Sequence, residues 1–268
     1  MAVGNKLGII GCGQMARALL GGFAREADLF SSILLHDIDP GKAGVLAKEY
    51  NARVMESSRD LAAEANIILL AVKPGQVSAV LRQIVPALNE NKLLVSIAAG
   101  ISMGTILHEV GRHMPVARVM PNTPCLLGQG MVAISPGTFV EEKSLTLLKR
   151  MFSTVGLVEV VPEGYMDAVT AVSGSGPAYI FLVAEAMTDA AVEVGLPRDI
   201  ARTLVNQTIS GAVAMLQTGE HPSKLKDQVT SPGGTTIAGI RALEAGGVRA
   251  AFFDAIKDAF ERSKALGQ

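Results

Sequence analysis

The sequence predicts an α/β domain with a doubly wound parallel sheet, followed by an all-α domain. Between residue 6 and about residue 160, short apolar runs alternate with helical patterns, which is typical of βαβ units. After Pro162, helical patterns follow one another without a convincing strand. Hydrophobic residues make up 49% of the 268-residue chain, which is enough for two buried cores. The predicted domains are residues 1–162 and 163–268.

Seven apolar runs are the predicted strands of the first domain. Several of them lack polar alternation, as expected of strands that helices cover on both faces. Turn residues such as Asp39-Pro40-Gly41 and Lys73-Pro74-Gly75 bound the runs. The predicted strands are Leu7–Ile10, Ile33–His36, Ile67–Val72, Leu93–Ala98, Val116–Met120, Met131–Ile134 and Leu157–Val161.

The turn after the first strand, Gly11-Cys12-Gly13-Gln14-Met15-Ala16, fits the pattern G-x-G-x-x-A of dinucleotide-binding folds. In that pattern Gly11 permits the tight turn, Gly13 lets the backbone approach a pyrophosphate, and Ala16 allows close packing of helix on strand. The helix that follows offers free N–H groups and the positive end of its dipole to the phosphates. The first domain is therefore predicted to be a Rossmann-type domain that binds a dinucleotide.

The second strand ends in His36-Asp37, where such folds usually place the group that recognises the adenosine ribose. A carboxylate at Asp37 would accept hydrogen bonds from a free 2′-hydroxyl and repel a 2′-phosphate, which favours NADH. The alternative is that Asp37 or Asp39 only caps the following turn or helix. Both interpretations remain open from the sequence.

Two later strand ends should flank the ribose and nicotinamide, because ligands of open α/β sheets bind beyond the carboxyl ends of the strands. One is Ile67–Val72, which is followed by Lys73-Pro74, and the other leads into Ile97-Ala98-Ala99-Gly100. Lys73 is either a contact to cofactor phosphate or substrate, or an ordinary surface lysine.

The helical domain is predicted to be an oligomerisation domain. Its segment Ala178–Val194 is apolar on more than one face, so it needs cover all round. About 105 residues of small apolar helices cannot easily bury that surface alone, which indicates helices that interlock between subunits. An ordinary monomeric bundle is the alternative.

Composition excludes several classes of partner. The formal net charge of −1 arises from 24 basic and 25 acidic residues, so no basic surface for nucleic acid or membranes is expected. Cys12 and Cys125 stand outside any metal-binding spacing, and no metal is predicted. The run Leu7–Gly11 is too short for a signal peptide or a membrane span, so we expect a cytoplasmic protein in a reducing compartment.

A cluster of small and hydroxyl-bearing residues, Ser231-Pro232-Gly233-Gly234-Thr235-Thr236, lies between two helical patterns and opens a helix predicted over Thr236–Leu243. Its N–H groups and hydroxyls could converge on an anion such as a substrate carboxylate. The alternative is a glycine-rich turn between helices with hydroxyl caps.

Taken together, five segments resemble the pyrroline-5-carboxylate reductase family, and they match in order over nearly the whole chain. The stretch that ends in Thr236 is the most specific of them. The five are Gly11 to Ala16, Ala71 to Pro74, Met120-Pro121-Asn122-Thr123-Pro124, Ser173-Gly174-Ser175-Gly176-Pro177-Ala178-Tyr179, and Leu225-Lys226-Asp227-Gln228-Val229-Thr230-Ser231-Pro232-Gly233-Gly234-Thr235-Thr236.

The resemblance implies reduction of pyrroline-5-carboxylate to L-proline by NADPH or NADH, in dimers of a kind that often assemble further into decamers. It also implies that Ser231, Gly234, Thr235 and Thr236 hold the substrate carboxylate and ring nitrogen, with Glu163 at the substrate pocket. The implied cofactor contacts are Ser58, Ala71, Val72, Lys73, Pro74, Ile97, Ala98, Ala99, Asn122 and Gln228. Asp37 departs from the small hydroxyl-bearing residues of several members, so the choice between NADH and NADPH stays open.

Reduction of a cyclic imine needs positive charge on nitrogen, and protonation in solution can supply it. The protein then mainly aligns the reactants and excludes water, so no catalytic histidine or cysteine is required. Thr236 is the residue expected to hydrogen-bond the ring nitrogen or carboxylate. The rival functions are a 3-hydroxyacid dehydrogenase or ketopantoate reductase and a catalytically silent protein that senses NAD(P)H.

Overall fold

The computed structural model describes residues 4–26 and 28–267. The chain forms two compact units: the first runs to Ser175 and includes the chain from Asp258 onward, and the second is Gly176–Lys257. The predicted boundary after residue 162 lies inside the first unit. After Pro162 the chain continues through a 3₁₀ turn at Glu163–Tyr165, the short helix α7 at Met166–Val169 and a π-helical turn at Thr170–Gly174. Met166 of α7 and Ala171 of the π-helical turn are buried.

The first unit is a doubly wound sheet of eight strands in the order β3-β2-β1-β4-β5-β6-β7-β8. The strands are β1 Lys6–Ile10, β2 Ser32–His36, β3 Arg53–Val54, β4 Ile67–Leu70, β5 Leu93–Ser96, β6 Val116–Met120, β7 Gly130–Pro136 and β8 Gly156–Val160. The helices between them are α1 Gln14–Phe23, α2 Pro40–Tyr50, α3 Ser58–Glu64, α4 Val77–Ile84, α5 Met103–Val110 and α6 Glu142–Ser153.

Alternate residues of the central strands point into two separate cores. On one face Leu7 and Ile9 pack with residues of α1 and α6, and on the other Ile10 and Ile68 pack with residues of α3, α4 and α5. Because both faces are covered, the strands are apolar almost throughout, as predicted. All seven predicted strands are confirmed, although those of β4 and β5 end earlier than predicted, at Leu70 and Ser96.

The sheet differs from the prediction in one strand pair and in one added strand. β6 and β7 are antiparallel, so β7 and β8 run against the other strands. Their connection holds only a 3₁₀ turn, Thr123–Leu127, and is too short for a crossover between parallel strands. The added strand β3, Arg53–Val54, is exposed and pairs with β2.

The second unit consists of helices, as predicted, and no strand follows Val160 in the described residues. The helices after Ser175 are α8 Gly176–Glu193, α9 Arg198–Leu216, α10 Pro222–Gln228, α11 Thr235–Ala245 and α12 Val248–Leu266. The helix α12 begins in the second unit and ends in the first. None of the helices that the structure describes is long and apolar enough to cross a bilayer.

Candidate active site

A cleft of about 430 Å³ opens beyond the carboxyl ends of β1, β2 and β4 in the first unit. This is the edge at which open α/β sheets bind ligands. Seven residues predicted to contact the cofactor line it: Gly11, Gly13, Asp37, Ser58, Ala71, Val72 and Lys73. The lining also includes Ile10, His36, Ile38, Lys42, Gln76, Ala79, Val80 and Gln83.

The glycine turn has the shape that a pyrophosphate requires. Gly11 has a φ of 97°, and a Cβ there would lie 2.5 Å from Ala71 O, so only glycine fits. A Cβ at Gly13 would meet nothing within 4 Å, so the space above the turn is open. No side chain caps α1 within the described structure, and its first N–H groups stay available to a ligand. These residues therefore fit the phosphates of a dinucleotide.

Behind the turn, Cys12 and Ala16 are packed into the core with 6% and 1% of their surface exposed. Burial and the nearby Asp37 charge raise the pKa of the Cys12 thiol to about 12. The side chain of Cys12 is thus a neutral packing group. The burial of Ala16 is consistent with the predicted close contact of helix and strand at this residue.

Asp37 lines the cleft and also caps the backbone on both sides. Its Oδ2 accepts the N–H of Cys12 at 2.7 Å, and its Oδ1 accepts the N–H of Asp39 at 2.8 Å. Asp39 in turn caps α2 by accepting the N–H of Gly41 at 3.0 Å. The capping contacts are thus present for both acids, while contact of Asp37 with a ribose remains a prediction.

The opposite wall of the cleft comes from α3, α4 and the turn before α4. Ser58 is buried, and its hydroxyl donates to Gln83 Oε1 at 2.9 Å. Lys73 is exposed, and its backbone N–H donates to Gln76 Oε1 at 3.3 Å. Sequence reasoning missed Gln76, Val80 and Gln83, although their spacing of four and three residues places them on one helical face.

The remaining predicted cofactor contacts do not line this cleft. Asn122 is buried after β6; its Nδ2 donates to Ser173 O at 3.1 Å, and its Oδ1 accepts the N–H of Met131 at 2.9 Å. Its amide thus joins β7 to the π-helical turn. The first unit also holds Cys12, Gln14, Met15, Ala16, Pro74, Ile97, Ala98 and Ala99 outside the lining, and the second unit holds Gln228 at the end of α10.

Glu163 is held by two donors of the first unit. Its Oε1 accepts the N–H of Met103 at 2.6 Å, at the start of α5, and Nη1 of Arg118 at 3.0 Å. Arg118 is 5% exposed, and its Nε is buried without a hydrogen-bond partner among the described residues. Sequence reasoning missed Arg118, because a single arginine inside an apolar strand gives no sign of which acid will pair with it.

The predicted substrate loop lies in the second unit. Gly233 adopts a φ of 67°, the Gly234 N–H donates to Ser231 O at 3.1 Å, and a Cβ at Gly234 would collide with Ser231 Oγ. This turn leads into α11, whose first residues are Thr235 and Thr236. No side chain in the described part of the chain caps this helix. Free N–H groups and two hydroxyls therefore lie together at the start of α11, which can bind an anion.

The histidines and cysteines give no sign of a metal centre. Among the residues that the structure describes, no group of three His, Cys, Asp or Glu side chains is arranged to hold an ion. His36 lines the cleft, and its Nδ1 lies 3.1 Å from Met55 O.

Two family models match the chain, one for each part. Residues 163–266 match pyrroline-5-carboxylate reductase dimerisation, and residues 6–100 match NADP oxidoreductase coenzyme F420-dependent. The chain is 40% identical to the pyrroline-5-carboxylate reductase of Escherichia coli (strain K12) over 98% of this chain and 99% of that one. It is 43% identical to the reductase of the same name from Synechocystis, over 98% of each chain.

Solved structures give the same result at the level of the fold. The Plasmodium falciparum pyrroline carboxylate reductase with NADP bound matches with a TM-score of 0.89 and 36% identity, over 98% of both chains. A pyrroline-5-carboxylate reductase from Coxiella burnetii matches with a TM-score of 0.90 and 33% identity, over 98% of this chain and 99% of that one. With the order of its motifs, its fold and these full-length relatives in agreement, the chain belongs to the pyrroline-5-carboxylate reductase family.

Proposed function

We propose that this chain reduces 1-pyrroline-5-carboxylate to L-proline with NADPH or NADH, the last step of proline biosynthesis. The observation that carries the proposal is the similarity to pyrroline-5-carboxylate reductases over 98% of the chain. The cleft beside Gly11, Gly13 and Asp37 supports it independently, since its shape and its free N–H groups suit a dinucleotide.

The residues of the cleft would hold the cofactor. When bound, the nicotinamide supplies a hydride. The turn Gly11–Ala16 would bind the pyrophosphate through backbone N–H groups, and Asp37, Ser58 and Lys73 would meet the adenosine ribose and the phosphates. The residues Ala71 to Pro74, Ile97 to Ala99, Asn122 and Gln228 are the further candidates for cofactor contact.

The loop before α11 would bind and orient the substrate. Ser231, Gly234, Thr235 and Thr236 offer N–H groups and hydroxyls to the carboxylate and ring nitrogen, and Glu163 is the candidate acid of the pocket. The contacts of Glu163 with the Met103 N–H and the Arg118 guanidinium hold its carboxylate in one place. Because the imine can be protonated in solution, these residues need only orient the substrate and exclude water.

The second unit is proposed to join two copies of the chain, and the resulting dimers to assemble into decamers. The match to a dimerisation model over residues 163–266 supports the dimer. A net charge of −1 and two buried free cysteines agree with a cytoplasmic protein whose partners are small molecules and its own copies.

The test is to mix the purified chain with pyrroline-5-carboxylate and NADH or NADPH and to follow the absorbance of the reduced nicotinamide. We expect loss of that absorbance and formation of proline. A chain that instead oxidises an added 3-hydroxyacid with NAD+ or NADP+ is a different dehydrogenase, and one that binds the dinucleotide but converts neither substrate is a sensor. Either of the latter two results would contradict the proposal.

A further inference from the structure

The carboxylate of Asp37 is fixed by the backbone at both of its oxygens. Oδ2 accepts the N–H of Cys12 at 2.7 Å, and Oδ1 accepts the N–H of Asp39 at 2.8 Å. The first donor belongs to the glycine turn and the second to the turn before α2. Hydrogen bonds to a charged acceptor are about twice as strong as neutral ones, so this one side chain holds two segments of the cleft wall together.

The charge of Asp37 stays at the cleft, because the side chain cannot swing away without breaking both bonds. Lys42 lines the same cleft, but its ammonium lies 3.8 Å from Asp39 Oδ2. The Lys42–Asp39 pair is more than half exposed, so water screens it. A 2′-phosphate at the Asp37 end of the cleft would thus meet a fixed carboxylate.

We propose that Asp37, which is already expected to disfavour a 2′-phosphate, is also a positioning residue for the phosphate-binding turn. The proposal rests on the proposed function only in that the cleft binds a dinucleotide. Affinity for the pyrophosphate and selectivity at the adenosine ribose then depend on one carboxylate. A substitution that relaxes the selectivity should also weaken the binding of every dinucleotide.

Two variants separate these effects. Asp37→Ser removes the charge and shortens the side chain, so that the Cys12 N–H loses its acceptor. Asp37→Asn also removes the charge but keeps one oxygen that can accept the Cys12 N–H. Asp39→Ser is the matched control, since it removes a neighbouring charge, keeps its own backbone N–H and retains a helix cap.

The measurement is the dissociation constant of NADH, of NADPH and of an NADH analogue that lacks both the 2′- and the 3′-hydroxyl of the adenosine ribose, read from nicotinamide fluorescence. The analogue reports the turn alone, because it has no ribose hydroxyl at that end for Asp37 to bind. We expect Asp37→Ser to bind the analogue about tenfold more weakly than wild type, as for loss of one charge-assisted hydrogen bond. Asp37→Asn and Asp39→Ser should bind the analogue within about threefold of wild type. Both Asp37 variants should raise the affinity for NADPH relative to NADH.

The positioning role is overturned if Asp37→Ser binds the analogue as well as wild type does, or if Asp39→Ser weakens it equally. The selectivity role is overturned if neither Asp37 variant changes the ratio of NADPH to NADH affinity. Circular dichroism confirms that each variant is folded. Should Asp37→Ser not fold, Asp37→Asn tests the selectivity role, and Asp37→Ala, which also leaves the Cys12 N–H without an acceptor, tests the positioning role. A wild-type chain that binds the dinucleotides but does not reduce the imine would overturn the proposed reaction alone, whereas one that binds neither dinucleotide would overturn both.

Discussion

At the scale of single residues, burial decides the chemistry of both cysteines. Cys12 and Cys125 are 6% and 2% exposed, and desolvation raises the pKa of each thiol because the thiolate would lose its water. For Cys12 the charge of Asp37 adds to the effect, and the pKa rises to about 12. Both side chains should therefore remain thiols at neutral pH.

The raised pKa of Cys12 predicts a loss of stability in alkali. The folded chain keeps the Cys12 proton up to about pH 12, whereas the unfolded chain releases it near pH 9. Since the folded state then holds more protons, the free energy of unfolding should fall as the pH rises above 9, by about 1 kcal/mol from pH 8 to pH 10. Urea unfolding at both pH values checks this result. The Cys12→Ala variant should lack that part of the fall, and equal falls in both proteins would contradict the assignment.

The hydroxyl of Thr236 is predicted to bind the substrate. It stands in the first turn of α11, where a hydroxyl beside free N–H groups can bind the ring nitrogen or the carboxylate of the substrate. We expect Thr236→Ala to lower kcat/KM for pyrroline-5-carboxylate by about tenfold, or about 1.4 kcal/mol. Steady-state kinetics at saturating cofactor measures the effect.

A matched control for Thr236 is Thr218→Ala. The Thr218 hydroxyl donates to Met215 O at 2.8 Å at the end of α9, so its loss should leave kcat/KM unchanged. Unchanged kinetics in Thr236→Ala would remove that hydroxyl from the mechanism.

The sequence predicted which residues could meet a dinucleotide better than it predicted what each side chain contacts. The pattern from Gly11 to Ala16 and the place of Asp37 after β2 follow from local geometry that the motif itself requires. That both Asp37 oxygens would accept backbone N–H groups depends on how the turns after β1 and β2 meet, and it could not be read from spacing. The same is true of the pair formed by Arg118 and Glu163, whose partners are far apart in sequence.

At the scale of elements, a buried lysine stabilises the end of α3. Lys92 is 8% exposed, and its ammonium donates to Ala63 O at 3.0 Å and to Ala65 O at 2.6 Å. These carbonyls lie at the negative end of the helix dipole, where a cation is favourable. Ala65 is fully buried, so water cannot easily replace the lysine there.

We therefore expect Lys92→Met to lower the free energy of unfolding by about 1–3 kcal/mol, the cost of a buried carbonyl without a donor. Denaturant unfolding monitored by circular dichroism measures the loss. Lys149→Met on α6 is the control, since Lys149 is exposed, and its effect should stay within about 0.5 kcal/mol. Equal effects of the two substitutions would show that the Lys92 contacts do not stabilise α3.

The strands of the sheet differ in how well they can be predicted from their sequences. β1 and β4 are buried apolar runs and were predicted, because a parallel strand covered on both faces needs such a run. β3 consists of two exposed residues, Arg53 and Val54, and exists only through its pairing with β2. The reversal at β7 depends on the length of a connection, which apolar periodicity does not report.

At the scale of the whole molecule, the second unit leaves many of its large apolar side chains exposed. The structure describes every residue from Gly176 to Lys257, and of its apolar side chains only Ala201 and Val205 are buried. Phe181 is 65% exposed, and Val194 and Phe253 are 81% and 78% exposed. Soluble proteins rarely leave large apolar patches uncovered, so this surface is suited to an interface. The match to a dimerisation model over the same helices agrees with that interpretation.

We expect a second copy of the chain to bury the exposed apolar surface of the second unit. Substitution of Phe253 tests this expectation. Burial of one phenylalanine stabilises an interface by about 1.5–3 kcal/mol, and a buried carboxylate in its place would cost more. We expect Phe253→Glu to lower the molar mass in solution and to make the melting temperature fall with dilution. Light scattering after size exclusion measures the mass.

The control is Val45→Glu on α2, where Val45 is 59% exposed, and this variant should keep the wild-type mass. If Phe253→Glu keeps it too, then the helices of the second unit are joined through another surface, because an interface that buried Phe253 could not accept the charge.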